Sequence, residues 1–117
     1  MKENIIKTKS FNLSVKIVEL YKQLSQNNEY VLSKQILRSW TSIWANISEA
    51  EYSESKMDFI HKFAIAQKET NETIYWLELL FKTNYINKDN YNSLKNKLLE
   101  IQKILSSIIM TTKKSIK

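Results

Sequence analysis

The chain is 117 residues long, contains no glycine, proline or cysteine, and carries 18 Lys/Arg against 12 Asp/Glu for a net charge of +6. That length suits one domain with one modest core. The missing cysteines exclude disulfides, thiolate nucleophiles and Cys-based zinc sites, and the missing glycines deprive phosphate-cradling loops and dinucleotide fingerprints of their usual residues.

Turns must therefore come from Asn, Asp and Ser, which points to a helical bundle with few, short connections. The opening MKENIIKTKSF has no apolar run fit for a signal peptide. No run of about eighteen apolar residues follows, so no membrane span is expected. The expectation is a soluble, cytoplasmic protein.

Residues 1–9 are polar and basic and are expected to fray. Ser10 reads as an N-cap for a first helix reaching about Ser25. Its inward residues are Leu13, Ile17, Leu20 and Leu24, with Phe11, Val18 and Tyr21 beside them. Ser25-Gln26-Asn27-Asn28 is a polar turn in which Asn can take the left-handed conformation that glycine usually supplies. A second helix is expected from about Glu29 to Tyr52. It carries two stripes: an apolar one (Ile36, Trp40, Ile43, Ile47, Ala50) and a polar one (Ser39, Ser42, Asn46, Glu49, Ser53) about a third of a turn away. A polar stripe beside a core stripe offers hydrogen bonds to whatever packs there.

Ser55 followed by Asp58 resembles a capping box with a shortened acid, so a third helix starts there and runs to about Lys82. Phe59, Phe63, Ala66, Thr70, Thr73/Ile74, Leu77 and Leu80/Phe81 face inward. Thr83–Asn87 is the next connection, and Asn87 caps the fourth helix. There Tyr91, Leu94, Leu98, Ile101, Leu105, Ile108 and Thr112 alternate three and four apart, with Leu99, Ile104 and Ile109 widening the seam. Short links make sequential helices antiparallel neighbours. The fold class is all-α, an up-down-up-down four-helix bundle occupying residues 1–117 as a single domain.

Charge is unevenly distributed. Residues 1–48 hold seven Lys/Arg and three Asp/Glu, residues 49–78 three and seven, and residues 79–117 eight and two. Solvated helix faces account for much of this. The sharper reading is that basic terminal segments attract nucleic acid, or that basic and acidic surfaces meet between subunits. On the fourth helix, Lys103, Lys113 and Lys117 fall outward and Lys95 and Lys97 flank the seam, giving a candidate phosphate-binding set. Tyr30, Tyr52, Tyr75 and Tyr85 are the aromatic side chains left free to stack on bases.

Catalytic and metal chemistry finds little support. A di-iron bundle needs two Glu-x-x-His motifs, and His61 is the single histidine. No nucleophile stands in an elbow or oxyanion context. Glu69 and Glu72, three apart on one face, are a spacing common to helices. No catalytic residue, metal or cofactor is assigned.

Three segments together resemble the small bacterial proteins encoded in intervening sequences of 23S ribosomal RNA genes. The matching residues are Arg38, Ser39, Ser42, Ile43, Ala45, Asn46, Ile47, Glu49 and Ala50; then Ser55, Asp58, Phe59, Ile60 and Lys62; then Lys68, Glu69, Glu72, Thr73, Tyr75, Trp76, Leu77, Glu78, Leu79 and Leu80. The resemblance implies a four-helix bundle assembling as a homopentameric ring, with no established enzymatic activity. It implies that Ser42, Asn46, Glu49 and Glu72 form a structural polar network between helices or subunits.

The accessory proteins of diversity-generating retroelements are similar in fold. They engage a reverse transcriptase and nucleic acid, so RNA or a reverse-transcriptase-like protein is an implied partner alongside further copies of the chain. The alternative is a protein-interaction module, without nucleic-acid binding, whose partner covers the acidic middle.

The family pattern has glycine where Trp40 and Trp44 stand. Tryptophan there demands a rebuilt pocket, since overpacking a core costs about 1–3 kcal/mol. A second explanation is decoding: some bacteria read UGA as glycine, and another translation prints tryptophan at such codons.

Overall fold

The computed structural model describes residues 2–116, with side chains from Ile5 onward. Lys117 lies outside the described residues. Four helices follow one another: α1 (Lys2–Gln26), α2 (Leu32–Ala50), α3 (Lys56–Lys82) and α4 (Lys88–Lys114). No strand occurs among the described residues.

Asparagine does the work of the missing glycine at two of the three connections. Asn28 and Asn84 are the two residues with positive φ, 64° and 67°. Each sits just past a helix and closes it with a pair of backbone bonds. Glu29 N–H donates to the Leu24 carbonyl and Asn28 N–H to that of Ser25; Tyr85 and Asn84 donate in the same way to Leu80 and Phe81. That is the Schellman arrangement, with Asn at the left-handed position.

The helix starts are capped in two ways. Ser55 Oγ accepts from Asp58 N–H at 3.0 Å, and Asn87 Oδ1 accepts from Asn90 N–H at 2.8 Å. Both follow the expected cap positions. At α2, by contrast, Val31 has no side chain able to cap. The buried Glu29 carboxylate serves instead, accepting from the N–H groups of Val31, Leu32 and Ser33 at 3.2, 3.1 and 2.7 Å. A carboxylate there satisfies orphan donors and complements the positive end of the helix. Glu29 is thus the cap of α2 rather than its first residue.

α1 begins at Lys2, eight residues before the expected cap. Ser10 is fully buried in mid-helix, and Ile6 ahead of it is fully buried too. The core register therefore runs Ile6, Ser10, Leu13, Ile17, Leu20, Leu24, with serine as one small member. Ile6 extends the buried register of α1 one turn ahead of Ser10.

Each helix packs on its sequence neighbour, and α1 closes the bundle against α4 in the least extensive of the four interfaces. Cross-helix pairs run in opposite registers. Lys7 pairs with Glu51 and Ser14 with Trp40. Lys62 pairs with Glu49 and Arg38 with Glu69. Gln67 bonds Ser106, and Lys95 pairs with Glu78. Neighbouring helices are therefore antiparallel, in a rod of 51 × 22 × 20 Å.

The expected inward stripes are buried, α2's without exception: Ile36, Trp40, Ile43, Ile47 and Ala50. Three residues placed near the seams are instead exposed: Phe11, Val18 and Leu99. They lie on the outer shoulders of α1 and α4, beyond the reach of the single neighbour on that side.

Trp40 is 1% exposed and heads the largest side chains of the core. Its indole N–H donates to Ser14 Oγ at 2.5 Å, and the Ser14 hydroxyl in turn donates to the Ser10 carbonyl at 2.9 Å. Small serines on α1 stand where the indole needs room, and one of them satisfies its only polar atom. Trp44, one turn on, is 36% exposed.

Candidate nucleic-acid interface

The polar stripe of α2 meets α3 along one seam. At its buried edge the Ser39 and Thr73 hydroxyls are 2.8 Å apart. Further out, Arg38 reaches across to Glu69 at 3.4 Å and to Glu72, which also accepts the Trp76 indole N–H at 3.3 Å. Asn46 Nδ2 donates to the Ser42 carbonyl at 2.8 Å. Burial raises the Glu69 pKa, and the adjacent Glu72 carboxylate adds to the rise; Arg38 and the Ser42 hydroxyl pull it down. Two carboxylates three apart thus share one guanidinium, so one of them holds a proton more readily than a free glutamate.

Ser42, Asn46 and Glu72 are linked through Glu69, whose spacing from Glu72 is common to helices. Glu49 stands apart, paired with Lys62 at 3.2 Å. Arg38 was legible as a motif residue, but its pairing across 31 and 34 positions was not. The site is a helix-to-helix fastening. Among the described residues, no group of three or more His, Cys, Asp or Glu side chains is placed to hold a metal ion. His61 is exposed.

The lysines of α4 do not converge. Lys95 turns toward α3, where it meets Glu78 at 3.4 Å and the Tyr91 hydroxyl at 3.1 Å, with its ammonium 5.5 Å from the Tyr91 ring centre. That hydroxyl, and then Glu78, hold its pKa above the usual lysine value. Lys97, about 200° further round the helix, faces α1 and lines the furrow there with Lys16. Lys103 shares a shallow hollow of about 570 Å³ with Lys114, over Leu99 and Met110. Lys113 is exposed.

The tyrosines are also dispersed. Tyr30 and Tyr85 sit at the end of the rod holding the α1–α2 and α3–α4 connections, Tyr52 at the other, and Tyr75 lies edge-on to Trp76.

The acidic middle has little charge to offer. Of the seven carboxylates in residues 49–78, five are paired inside the chain: Glu49 with Lys62, Glu51 with Lys7, Glu69 and Glu72 with Arg38, and Glu78 with Lys95. Such surface pairs stabilise by only about 0–1 kcal/mol each. Their effect is to neutralise the acidic stretch and leave the surplus of positive charge on the other faces.

The model of the family described as 23S rRNA-intervening sequence protein matches residues 2–107. The chain belongs to that family. Among solved structures, the crystal structure of a protein of unknown function from the S23 ribosomal protein family of Bacteroides thetaiotaomicron is similar to this member. Identity is 56%, with 94% of this chain and 99% of that one covered and a TM-score of 0.92. No curated protein matches this member of the family. The expected membership and the four-helix fold both stand. No helix among the described residues is long and apolar enough to cross a membrane.

Proposed function

We propose that this protein is a non-enzymatic, oligomeric scaffold that binds RNA, or a reverse-transcriptase-like enzyme working on it, through basic surfaces. The internal pairing of the acidic middle carries the reading. With five carboxylates there already engaged, the net +6 is felt outside as unpaired lysines, which attract polyanions over long range.

Self-association draws support from the surface of α1. Phe11, Val15 and Val18 form an exposed apolar stripe, and exposed apolar groups in a row favour burial against a partner. The rival reading, a partner that covers the acidic middle, loses its attraction once those acids are neutralised from within.

A solution mass measurement, alone and with a structured RNA, tests the proposal. Expected are a multiple of the subunit mass, a pentamer by family resemblance, and a heavier species with RNA. A clean monomer that ignores RNA contradicts it.

A further inference from the structure

α1 and α4 make the least extensive interface of the bundle and leave a furrow between them. It holds two adjoining hollows of about 230 and 260 Å³, and Lys16 and Lys97 line both. The first is completed by Lys9, Asn12 and Glu100 over a floor of Leu13 and Ile101. The second adds Glu19, Gln23, Asn90 and Ser93.

Lys9 is held by Glu100 at 3.2 Å. Lys16 and Lys97 have no carboxylate within pairing distance among the described residues, although Lys7, Arg38, Lys62 and Lys95 all do. Two cations from different helices therefore line one furrow without an ion-pair partner among the described residues.

We propose that this furrow seats the sugar–phosphate backbone of single-stranded RNA, with Lys16 and Lys97 as its phosphate-binding pair. The inference rests on the RNA-binding reading above and names its site, which keeps Lys97 of the α4 set expected from the sequence and adds Lys16. In the first hollow, three lysines stand against the single carboxylate of Glu100, so the local charge is positive. Glu19 lowers it in the second, where Gln23, Asn90 and Ser93 supply neutral hydrogen-bonding groups.

Hollows of about 260 and 230 Å³ are of a size for one strand's backbone and not for a duplex. From Lys9 to Gln23 the furrow extends ~21 Å along α1 at 1.5 Å per residue, room for a few nucleotides. No aromatic side chain lines either hollow. Base stacking is thus absent from the seat, and contact with the backbone alone is indifferent to sequence.

The test is fluorescence anisotropy of a short labelled single-stranded RNA across a salt series. It compares the full chain, a Lys16→Glu/Lys97→Glu variant and a Lys34→Glu/Lys82→Glu variant, whose lysines lie on α2 and α3. Both variants change exposed residues and the net charge equally, so a difference between them reports position rather than bulk electrostatics; circular dichroism checks that each is folded. Removing two phosphate contacts is expected to lower the slope of log affinity against log salt by about 1.4, at roughly 0.7 per contact. Affinity at low salt is expected to fall at least tenfold, with the Lys34/Lys82 variant within twofold of the parent. Homopolymeric and mixed-sequence RNA should bind the parent alike.

Equal losses in the two variants, or an unaffected Lys16/Lys97 variant, overturn the furrow while RNA binding itself stands. A parent chain that binds no RNA at low salt overturns both.

Discussion

Replacing Trp40 by the glycine of the family pattern separates a pocket built for the indole from an indole forced into a pocket. Trp40 is 1% exposed. A buried tryptophan removes up to about 250 Å² from water, worth about 6 kcal/mol at 25 cal/mol/Å² as a ceiling. Truncating such a side chain typically costs about 3–5 kcal/mol, and glycine in a helix interior adds about 1 kcal/mol. Trp40→Gly is therefore expected to lose about 4–6 kcal/mol, a large part of the 5–15 kcal/mol typical of a domain. The midpoint should fall by roughly 20 °C.

Trp40→Phe, which keeps most of the volume but leaves Ser14 without its donor, should cost about 1–2 kcal/mol. Trp44→Gly at the half-exposed position should cost about 1–2 kcal/mol, chiefly from glycine. Urea unfolding followed by far-UV circular dichroism reads all three. A Trp40→Gly variant as stable as the parent, or more so, refutes the built pocket and restores the overpacked one. UGG codons at positions 40 and 44 of the gene make both tryptophans genuine and exclude the decoding explanation.

Glu29→Ala strips the N–H groups of Val31, Leu32 and Ser33 of their acceptor and should cost about 1–3 kcal/mol in urea unfolding; a loss below 0.5 kcal/mol on the same scale argues that water takes over the cap. Asn84→Gly should be neutral or slightly stabilising and Asn84→Ala should cost about 1 kcal/mol, because φ is 67° there. The reverse order contradicts the left-handed cap. Because the folded-state pKa of Glu69 is raised, the folded chain binds more protons than the unfolded chain just above the ordinary carboxylate range. Stability contributed by this group is thus fully present below that range and falls as pH rises through the raised value. Glu69→Gln should flatten that part of the stability–pH curve, and an unchanged slope rules the coupling out.

Local signals reported the fold well. Ser55, Asn87 and the Asn27-Asn28 pair marked helix ends because caps and left-handed turns depend on side chains a few positions away. The seam of α4 was legible for the same reason, since three-four spacing is a property of one helix. Ser10 misled because a serine before an apolar stripe looks the same whether it caps a helix or fills a small core position, and the buried Ile6 decides between them.

The candidate site was less legible. Lys95 looked like a free phosphate ligand, yet Glu78 and Tyr91 hold it. Lys16 carried no signal, and acquires interest only because α4 brings Lys97 beside the same furrow. Which lysines are paired and which are free is decided by contacts between helices far apart in sequence.

Salt-dependent binding of a structured RNA tests the proposed function most directly. Measurable affinity at low salt is expected, falling steeply and log-linearly as salt rises, in proportion to the phosphates engaged. Affinity that is absent at low salt, or present and indifferent to salt, contradicts a scaffold that holds RNA by its unpaired lysines.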